Sequence, residues 1–310
     1  MRCGSPTRRA RLRPGGGGGE DAVRTGPEPT LVADAAALER LVERLARESL
    51  VALDTESNSF HAYFERVCLL QVSVPGEDFV VDPLAVDVRP LGPLLAAGRE
   101  VVLHGADYDV RCLKRQYGWS LGRVFDTMVA ARRLGSRELG LAALVHAHFG
   151  VRLSKEFQRA DWGRRPLPQD QLRYAALDTH YLLPLHGSLA GELRARGLAD
   201  LAARDFDRLA ASEAHARVFD PEGWRRLRGA RALDAASAAA LRQLWLLRED
   251  RARTLDRPPF KVLGEDAMVE IARRRPATRE ALSRIPGVTP RVLERMGEAI
   301  LEALAAAGAP

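Results

Sequence analysis

The chain has 310 residues, of which 46% are hydrophobic and 28% are charged, and its formal net charge is +6. This composition is ordinary for a folded protein that is long enough for two domains. No apolar run approaches the roughly 18 residues that cross a bilayer, and the Arg-rich N-terminus lacks the apolar core of a signal peptide. We therefore expect a cytoplasmic protein with no membrane span. Cys3, Cys68 and Cys112 have no CxxC spacing, which disfavours a disulfide framework and a structural zinc site.

Positive charge is concentrated at the two ends of the chain. Residues 221–310 carry 17 Arg and Lys against 12 Asp and Glu, and residues 1–20 carry five Arg against one Glu. The middle 200 residues are therefore slightly acidic. This distribution favours ends that attract a polyanion and a body that needs carboxylates, although a high Arg content can also simply solvate a surface.

The N-terminal part of the chain changes character near residue 29. Residues 1–28 are rich in Gly, Arg and Pro, and they bury too little apolar surface to offset the entropy of ordering. We expect them to form a disordered basic tail. Asp34 is a candidate cap for a helix, which has one apolar face formed by Leu38, Leu41, Val42 and Leu45.

Several β-rich runs follow this helix. The run LVALDT (50–55) is followed by RVCLLQVSV (66–74) and FVVDPL (79–84), and the turn sequence PGED between the last two predicts a meander. EVVLHG (100–105) and RVFDT (123–127) predict two more strands, each followed by a helix. The order of elements predicts an α/β domain over residues 29–202, with a mixed sheet covered by helices.

Two aspartates near these strands have the positions of helix caps. Asp107 precedes a helical pattern that ends at Gly118, and Asp126 precedes one that ends near Gly135. Residues 203–232 are polar and predict an irregular linker. Residues 233–310 contain four or five helical segments with short connections and no strand, which predicts a small all-α bundle.

Five further residues can carry chemistry as a set. Asp54 and Glu56 are two positions apart on a strand, so they project from the same face and repel each other unless a cation lies between them. Asp109 begins a helix just after a strand, and Tyr174 and Asp178 are four residues apart on one helix face. Each signal alone is weak, and only the set of five residues is informative.

These residues also carry a family resemblance. DTE (54–56), HGADYD (104–109) and YAALD (174–178) resemble the three motifs of the DEDDy branch of the DnaQ-like 3′–5′ exonucleases, specifically ribonuclease D. The stretch KEFQRADWGRRPLPQDQLRYAALD (155–178) is similar to the family over almost its whole length. Residues 221–308 resemble the helicase-and-RNase-D C-terminal (HRDC) domain. The resemblance implies an RNase H-like mixed sheet flanked by helices, followed by an all-α HRDC bundle over residues 233–310.

The resemblance also implies a mechanism. The four acids would hold two divalent ions, Mg²⁺ or Mn²⁺, which prefer hard oxygen ligands. Asp54 would bridge the ions, Glu56 and Asp178 would complete the nucleophile-side ion, and Asp109 would bind the second through water. Tyr174 would orient the attacking water, because a hydroxyl with a pKa near 10 is protonated at neutral pH. The family motif places its acid five residues after His104, which leaves Asp107 as a cap.

Three further residues are candidate substrate contacts. His104 follows a strand near the site, and it can contact substrate or be a hydrogen-bonded structural histidine. Asn58 and Phe60 belong to SNSF, the segment that leaves the active-site strand, and Phe60 can stack on a terminal base or simply pack.

The expected partner is RNA with an accessible 3′ end, such as a tRNA precursor, and the expected state is a monomer. The chain has one HRDC module, where many ribonuclease D chains have two. A DNA exonuclease and a non-catalytic RNA-binding adaptor remain as alternatives.

Overall fold

A computed structural model describes residues 28–96, 98–214 and 218–308. The tail predicted for residues 1–28 lies outside the described residues, apart from Glu28. In the described part of the chain, no helix combines the length and the hydropathy needed to cross a membrane.

The first region is built on a mixed sheet. Its strands are β1 (Thr30–Val32), β2 (Leu50–Ser57), β3 (Val67–Val74), β4 (Glu77–Val81), β5 (Glu100–Leu103) and β6 (Arg123–Asp126). Their order across the sheet is β1-β4-β3-β2-β5-β6. The meander β2-β3-β4 is antiparallel, whereas β1 joins β4, β5 joins β2 and β6 joins β5 in parallel. The predicted mixed sheet is therefore confirmed.

Helices cover both faces of this sheet. They are α1 (Ala35–Ala46), α2 (Leu91–Ala96), α3 (Asp107–Tyr117), α4 (Thr127–Arg133), α5 (Leu141–Phe149), α6 (Gln169–His180), α7 (Leu182–Ala195) and α8 (Ala199–Ala210). In β2, Val51 and Leu53 point into the core under α1, α2 and α3, while Ala52 points into the core under α4, α7 and α8. Strands buried on both faces read as continuous apolar runs, which explains the sequence of β2, β3 and β5.

The structure confirms two of the three predicted helix caps. The side chain of Asp34 accepts a hydrogen bond from the amide of Ala37 at 2.8 Å. Asp126 accepts from two amides in the first turn of α4 at 2.8 and 3.0 Å. The prediction for Asp107 is wrong, because α3 begins at Asp107 itself and its side chain pairs with Arg111 one turn later.

The second region is an all-α bundle. Its helices are α9 (Ala235–Thr254), α10 (Pro259–Val262), α11 (Glu265–Arg274), α12 (Arg279–Ser283) and α13 (Pro290–Gly308). Helix α9 packs along α11 and α13. The bundle has its own apolar core, centred on Leu241, Leu244, Met268 and Ile300.

The segment predicted as an irregular linker, residues 203–232, is largely part of the two regions that it joins. Helix α8 continues to Ala210, and its Phe206 packs in the core of the sheet region. Gly223–Arg226 forms a 3₁₀ turn that buries Trp224 in the core of the bundle. A few apolar side chains at helical spacing are sufficient for this packing, although the segment is polar overall.

One loop of the sheet region contacts the bundle. This cleft loop, residues 58–66, leaves the end of β2 and returns into β3. The backbone amides of Tyr63 and Phe64 donate to the same carboxylate oxygen of Asp256, at 2.9 and 3.0 Å. The Tyr63 hydroxyl donates to Glu249. The bundle therefore holds a loop that begins at the end of the strand carrying Asp54.

Candidate active site

Strand β2 carries two half-buried acids on one face of the sheet. Asp54 and Glu56 project together because successive strand residues alternate between faces. They lie on the same face of β2 as Ala52. Ala52 packs in the apolar core, whereas the two acids lie further along the strand, past the end of that core. The prediction that these two carboxylates lie side by side follows directly from this alternation.

The residue between them, Thr55, points to the other face and holds a third acid. Its hydroxyl donates to Asp109 Oδ1 at 2.5 Å. Asp109 lies in the first turn of α3 and is 5% exposed. The sequence reasoning did not select Thr55, since an alternating strand residue with a small hydroxyl gives no separate signal. Its role depends on a contact across 54 positions of the chain.

Helix α6 brings the remaining two residues over β2, β3 and β4. Asp178 and Tyr174 lie one turn apart on this helix, whose inner side buries small and apolar residues such as Ala175. The ring of Tyr174 is held between aromatic neighbours. Phe157 meets it edge-on at 5.5 Å, and Trp162 stacks on it at 6.2 Å between ring centroids.

A cleft of about 740 Å³ opens above these elements. Asp54, Glu56, Tyr174 and Asp178 line it together. Asp109 is not among the side chains that line this cleft, because it lies behind them and bonds to Thr55. The elements thus bring together four of the five predicted residues at one surface, with the fifth directly beneath.

The three candidate substrate contacts differ in their surroundings. Phe60 is 50% exposed and lines the cleft, as does His104. The His104 ring pairs with the Thr127 hydroxyl through Nδ1 at 2.9 Å, while its buried Nε2 has no hydrogen-bond partner among the described residues. Burial lowers the pKa of His104, so the ring is neutral at physiological pH.

Asn58 does not have the surroundings expected of a substrate contact. It is 5% exposed, and its side-chain oxygen accepts from the amide of Arg66 at 2.8 Å. Its carbonyl accepts from the amides of His61 and Ala62. Asn58 is not among the side chains that line the cleft. These bonds close the cleft loop, so the structure contradicts the sequence prediction for Asn58.

Burial and mutual repulsion raise the pKa values of the four carboxyl groups. The pKa of Asp54 is well above its usual range, first because of burial and then because of the other three acids. Burial, followed by repulsion from Asp178 and Asp109, raises the pKa of Glu56 to about 9. Burial raises the pKa of Asp178 to about 7, and that of Asp109 to about 7 against the opposing bond from Thr55.

This donor set is suited to cations that prefer oxygen. All four groups are carboxylates, which bind Mg²⁺ and Mn²⁺ in preference to softer metals. Neutralisation by cations would also relieve the repulsion that raises their pKa values. In residues 28–96, 98–214 and 218–308, no three Asp, Glu, His or Cys side chains are already arranged to hold a metal ion. The cluster therefore identifies the candidate ligands but not their coordination geometry.

Basic side chains also line the cleft. Lys155 and Arg159 line the wall formed by residues 153–159, beside Gln158. The carbonyl of Arg159 lies 3.1 Å from His61 Nε2, which ties this wall to the cleft loop. The sequence reasoning did not select Lys155 and Arg159 as functional. The only signal was their place in a basic stretch just before α6.

Matches to known families agree with this geometry. A model of the 3′–5′ exonuclease family matches residues 29–194, and a model of the HRDC domain matches residues 237–304. The fold and the acidic cleft thus define a 3′–5′ exonuclease domain followed by an HRDC domain. Exonuclease domains of this superfamily use divalent metal ions.

Individual relatives specify the family further. Ribonuclease D of Gluconacetobacter diazotrophicus is 35% identical over 289 residues, which cover 91% of this chain and 73% of the relative. The catalytic core of RRP6 from Trypanosoma brucei superposes with a TM-score of 0.82 at 28% identity, covering 92% of this chain and 80% of that one. Escherichia coli RNase D superposes with a TM-score of 0.70 at 28% identity, covering 91% and 76%. The chain belongs to the ribonuclease D family.

Proposed function

We propose that this chain is a metal-dependent exoribonuclease that removes nucleoside 5′-monophosphates from RNA 3′ ends. The observation that carries this proposal is the cluster of four carboxyl groups whose pKa values burial and repulsion raise. A buried acidic cluster is unfavourable unless cations neutralise it. Membership of the ribonuclease D family supports phosphodiester hydrolysis as the use of those cations.

The acids have distinct roles in this proposal. Asp54, Glu56 and Asp178 would hold the ions from the cleft side. Asp109 would act from beneath, oriented by its bond from Thr55. When bound, two Mg²⁺ or Mn²⁺ ions lower the pKa of the attacking water and stabilise the leaving oxygen.

Tyr174 orients the water rather than removing its proton. Burial and the neighbouring carboxylates raise the pKa of Tyr174, so the hydroxyl stays protonated at neutral pH. It can therefore donate to or accept from a water in the cleft, and stacking on Trp162 restricts the ring. A group that positions the nucleophile in this way affects the rate more than the affinity.

The cleft walls provide contacts for the 3′ end of the RNA strand. Phe60 is exposed enough for a base to stack on it without sequence preference. Lys155 and Arg159, which also line the cleft, can offset phosphate charge there. His104 also lines the cleft, which supports a contact between its ring and the substrate through an atom other than its buried Nε2.

The helical bundle contributes a basic pocket that can bind the RNA strand upstream of its 3′ end. This pocket, of about 220 Å³, is lined by the cations Arg257, Lys261, Arg291 and Arg295. Among the described residues, none of the four forms an ion pair with a carboxylate. Lys261 Nζ lies 3.4 Å from His61 Nδ1 in the cleft loop. Unpaired arginines beside the loop favour phosphates upstream of the 3′ end as the ligand.

The substrate in the cell is proposed from similarity. E. coli RNase D is an exoribonuclease involved in structured RNA processing, which supports structured RNAs, such as tRNA precursors, as substrates of this chain. The monomeric state and the cytoplasmic location remain predictions.

The test is a degradation assay on RNA and DNA of the same sequence, labelled at the 5′ or the 3′ end. The protein is supplied with Mg²⁺, Mn²⁺ or EDTA. We expect 5′-labelled RNA to shorten stepwise and 3′-labelled RNA to release labelled mononucleotide at once. Both signals require a divalent ion.

Three outcomes of this assay would contradict the proposal. Degradation in EDTA would exclude the metal-dependent mechanism. Faster degradation of DNA than of RNA would favour a DNA exonuclease. Binding without hydrolysis under every condition would favour an RNA-binding adaptor.

A further inference from the structure

Strand β3 carries a buried glutamine directly opposite Asp54. The antiparallel register of β2 and β3 pairs Asp54 with Gln71, and directly opposite residues project from the same face of a sheet. Gln71 is 0% exposed. Neither its side-chain oxygen nor its side-chain nitrogen has a hydrogen-bond partner among the described residues.

The next polar side chain of β3 on this face has hydrogen-bond partners. Ser73, two residues further along β3 on the same face, bonds to the Thr179 hydroxyl at 2.7 Å and to Asp78 Oδ1 at 2.5 Å. Buried side-chain amides are nearly always hydrogen-bonded, because an unpaired one loses its bonds to water without replacement. The side-chain oxygen and nitrogen of Gln71 are both unpaired beside the acidic cluster. This therefore indicates a hydrogen-bond partner that Gln71 contacts only when the site holds its metal ions.

Asp54 is an acceptor that lies directly opposite Gln71, and within the described ranges it accepts only from the backbone of Thr55. No side chain in the described part of the chain donates to its carboxylate, whereas Asp109 has Thr55. The Cβ atoms of directly opposite residues are roughly 5 Å apart. The side chain of glutamine extends far enough to span this gap by rotating about its own bonds.

We propose that Gln71 is a positioning residue for Asp54, whose carboxylate it binds through its side-chain NH₂ group when that carboxylate holds a divalent ion. The bond would use one lone pair of the Asp54 carboxylate and would fix the orientation of that carboxylate toward the ions. Groups of this kind orient metal ligands, and their loss typically weakens metal binding by about 10–100-fold. The inference rests on the proposed function, since it assumes that Asp54 is a metal ligand.

The experiment compares Gln71→Met with Ser73→Ala. Methionine keeps the length and approximate volume of glutamine but has no amide. The affinity for Mn²⁺ alone is measured by electron paramagnetic resonance, and the melting temperature is measured with and without Mn²⁺. We expect Gln71→Met to bind Mn²⁺ about 10–100-fold more weakly, with a metal-free melting temperature equal to or above that of the parent.

Ser73→Ala is the matched control, because it removes a buried polar group from the same face without approaching Asp54. It should lower the melting temperature and leave the Mn²⁺ affinity within about twofold. In an Asp54→Asn background, Gln71→Met should have no further effect on Mn²⁺ binding, because Gln71 acts through Asp54.

A measurement on the unaltered protein does not depend on any variant folding. Gln71 is one of six glutamines in the chain, so selective ¹⁵N-glutamine labelling resolves its side-chain NH₂ signals. These signals should shift when Mg²⁺ is added. Parent-like Mn²⁺ affinity in folded Gln71→Met, or unmoved Gln71 signals, would overturn the inference alone. Absence of Mn²⁺ binding in the parent would overturn the proposed function as well.

Discussion

The cleft of the exonuclease region and the basic pocket of the bundle have opposite electrostatics. Many other charged side chains form ion pairs, as in the contact between Arg165 and Asp82 at 2.6 Å. At the cleft, three carboxyl groups on its lining and Asp109 behind them repel one another. In the pocket, four cations line a concavity without carboxylate partners in the described residues. Uncompensated charge of one sign in a concave surface thus indicates a ligand of the other sign, a divalent ion in one case and a phosphate in the other.

The acids of the cleft and the cations of the basic pocket also differ in how far they are exposed to solvent. Asp109 is buried and the other three acids are half-buried, so their interactions are stronger and less sensitive to salt than those of fully exposed charges. The four cations line an open surface pocket, where solvent and salt screen their effect. Substitutions in the cleft should therefore have far larger consequences than substitutions in the pocket.

The largest effect should follow Asp54→Asn. The variant removes one ligand charge without changing shape, so we expect hydrolysis of 5′-labelled RNA to fall by about 10³-fold or more in single-turnover assays. Asp107→Asn is the matched control, because Asp107 is an exposed acid that pairs with Arg111 and should tolerate the change. Substantial Mg²⁺-dependent activity in a folded Asp54→Asn protein would exclude the assigned role.

The second effect is on the stability of the metal-free protein. Folding raises the pKa values of Asp109 and Asp178 to about 7, and that of Glu56 to about 9. The folded state thus holds protons that the unfolded state releases near pH 4. The stability that these bound protons contribute is present at low pH, and it is lost as the pH rises through the pKa values of the folded state.

We expect the free energy of unfolding in EDTA to fall by at least about 2 kcal/mol between about pH 5 and pH 8. Urea titrations at the two pH values measure it. Asp178→Asn should reduce the difference, and saturating Mg²⁺ should restore stability at the higher pH. A metal-free protein that is equally stable at both pH values would show that the acids do not repel one another.

The sequence was sufficient for much of the fold. Strands β2 and β3 and helix α3 were predicted because apolar runs, alternation and a C-terminal Gly118 are local signals. Strand β1 was not predicted, since Thr30–Val32 is too short for a pattern and depends on pairing with β4. The linker prediction failed where a polar helix, α8, is held by a few buried residues such as Phe206.

The candidate site shows the same difference between local sequence signals and contacts between distant residues. Asp54 and Glu56 on one face follow from strand alternation alone, and the family motifs supplied the other acids. The contacts that support the site join residues far apart in the chain, such as Thr55 with Asp109 and Tyr63 with Asp256. No local pattern signals such contacts. Asn58 was predicted to contact substrate because it belongs to SNSF, the segment that leaves the active-site strand, whereas its side-chain oxygen closes the loop.

Tyr174→Phe should have the next largest effect. Loss of the hydroxyl leaves the attacking water less well oriented, so we expect kcat to fall by about 10–100-fold, with KM changed by less than about threefold. Steady-state kinetics on a short RNA separate the two constants. Tyr181→Phe, at the end of the same helix, should leave both unchanged, since its ring stacks on Phe149 away from the acids. A rise in KM alone would contradict the water-orienting role.

A smaller effect is expected where the two regions meet. Asp256 has a positive φ of 44°, so Asp256→Gly removes the carboxylate without backbone strain. The amides of Tyr63 and Phe64 then lose their acceptor, and the cleft loop loosens. We expect kcat/KM to fall by about 3–10-fold, which corresponds to about 1 kcal/mol.

Asp256→Asn tests the cause of that effect. Asparagine keeps an acceptor oxygen and tolerates positive φ, so it should retain most of the activity that glycine loses. Hydrogen exchange across residues 58–66 should accelerate in Asp256→Gly only. Equal activity of the glycine variant and the parent would mean that the bundle does not support the cleft.

The smallest effect should follow the double substitution Arg291→Ala and Arg295→Ala in the basic pocket. Each phosphate contact to a single strand contributes about 0.7 to the slope of log affinity against log salt. We expect the slope to fall by about 0.7–1.4 and kcat on saturating RNA to be unchanged. Fluorescence anisotropy over a salt series measures the slope.

Arg284→Ala is the control for this pocket, because Arg284 already pairs with Glu280 on another face of the bundle. It removes a similar charge from the same domain but should leave the slope near that of the parent. A lowered kcat in the double variant would instead mean that the pocket acts on the chemistry in the cleft. An unchanged slope would mean that its unpaired arginines do not bind RNA phosphates, and the contrast between the two regions would then hold for the cleft alone.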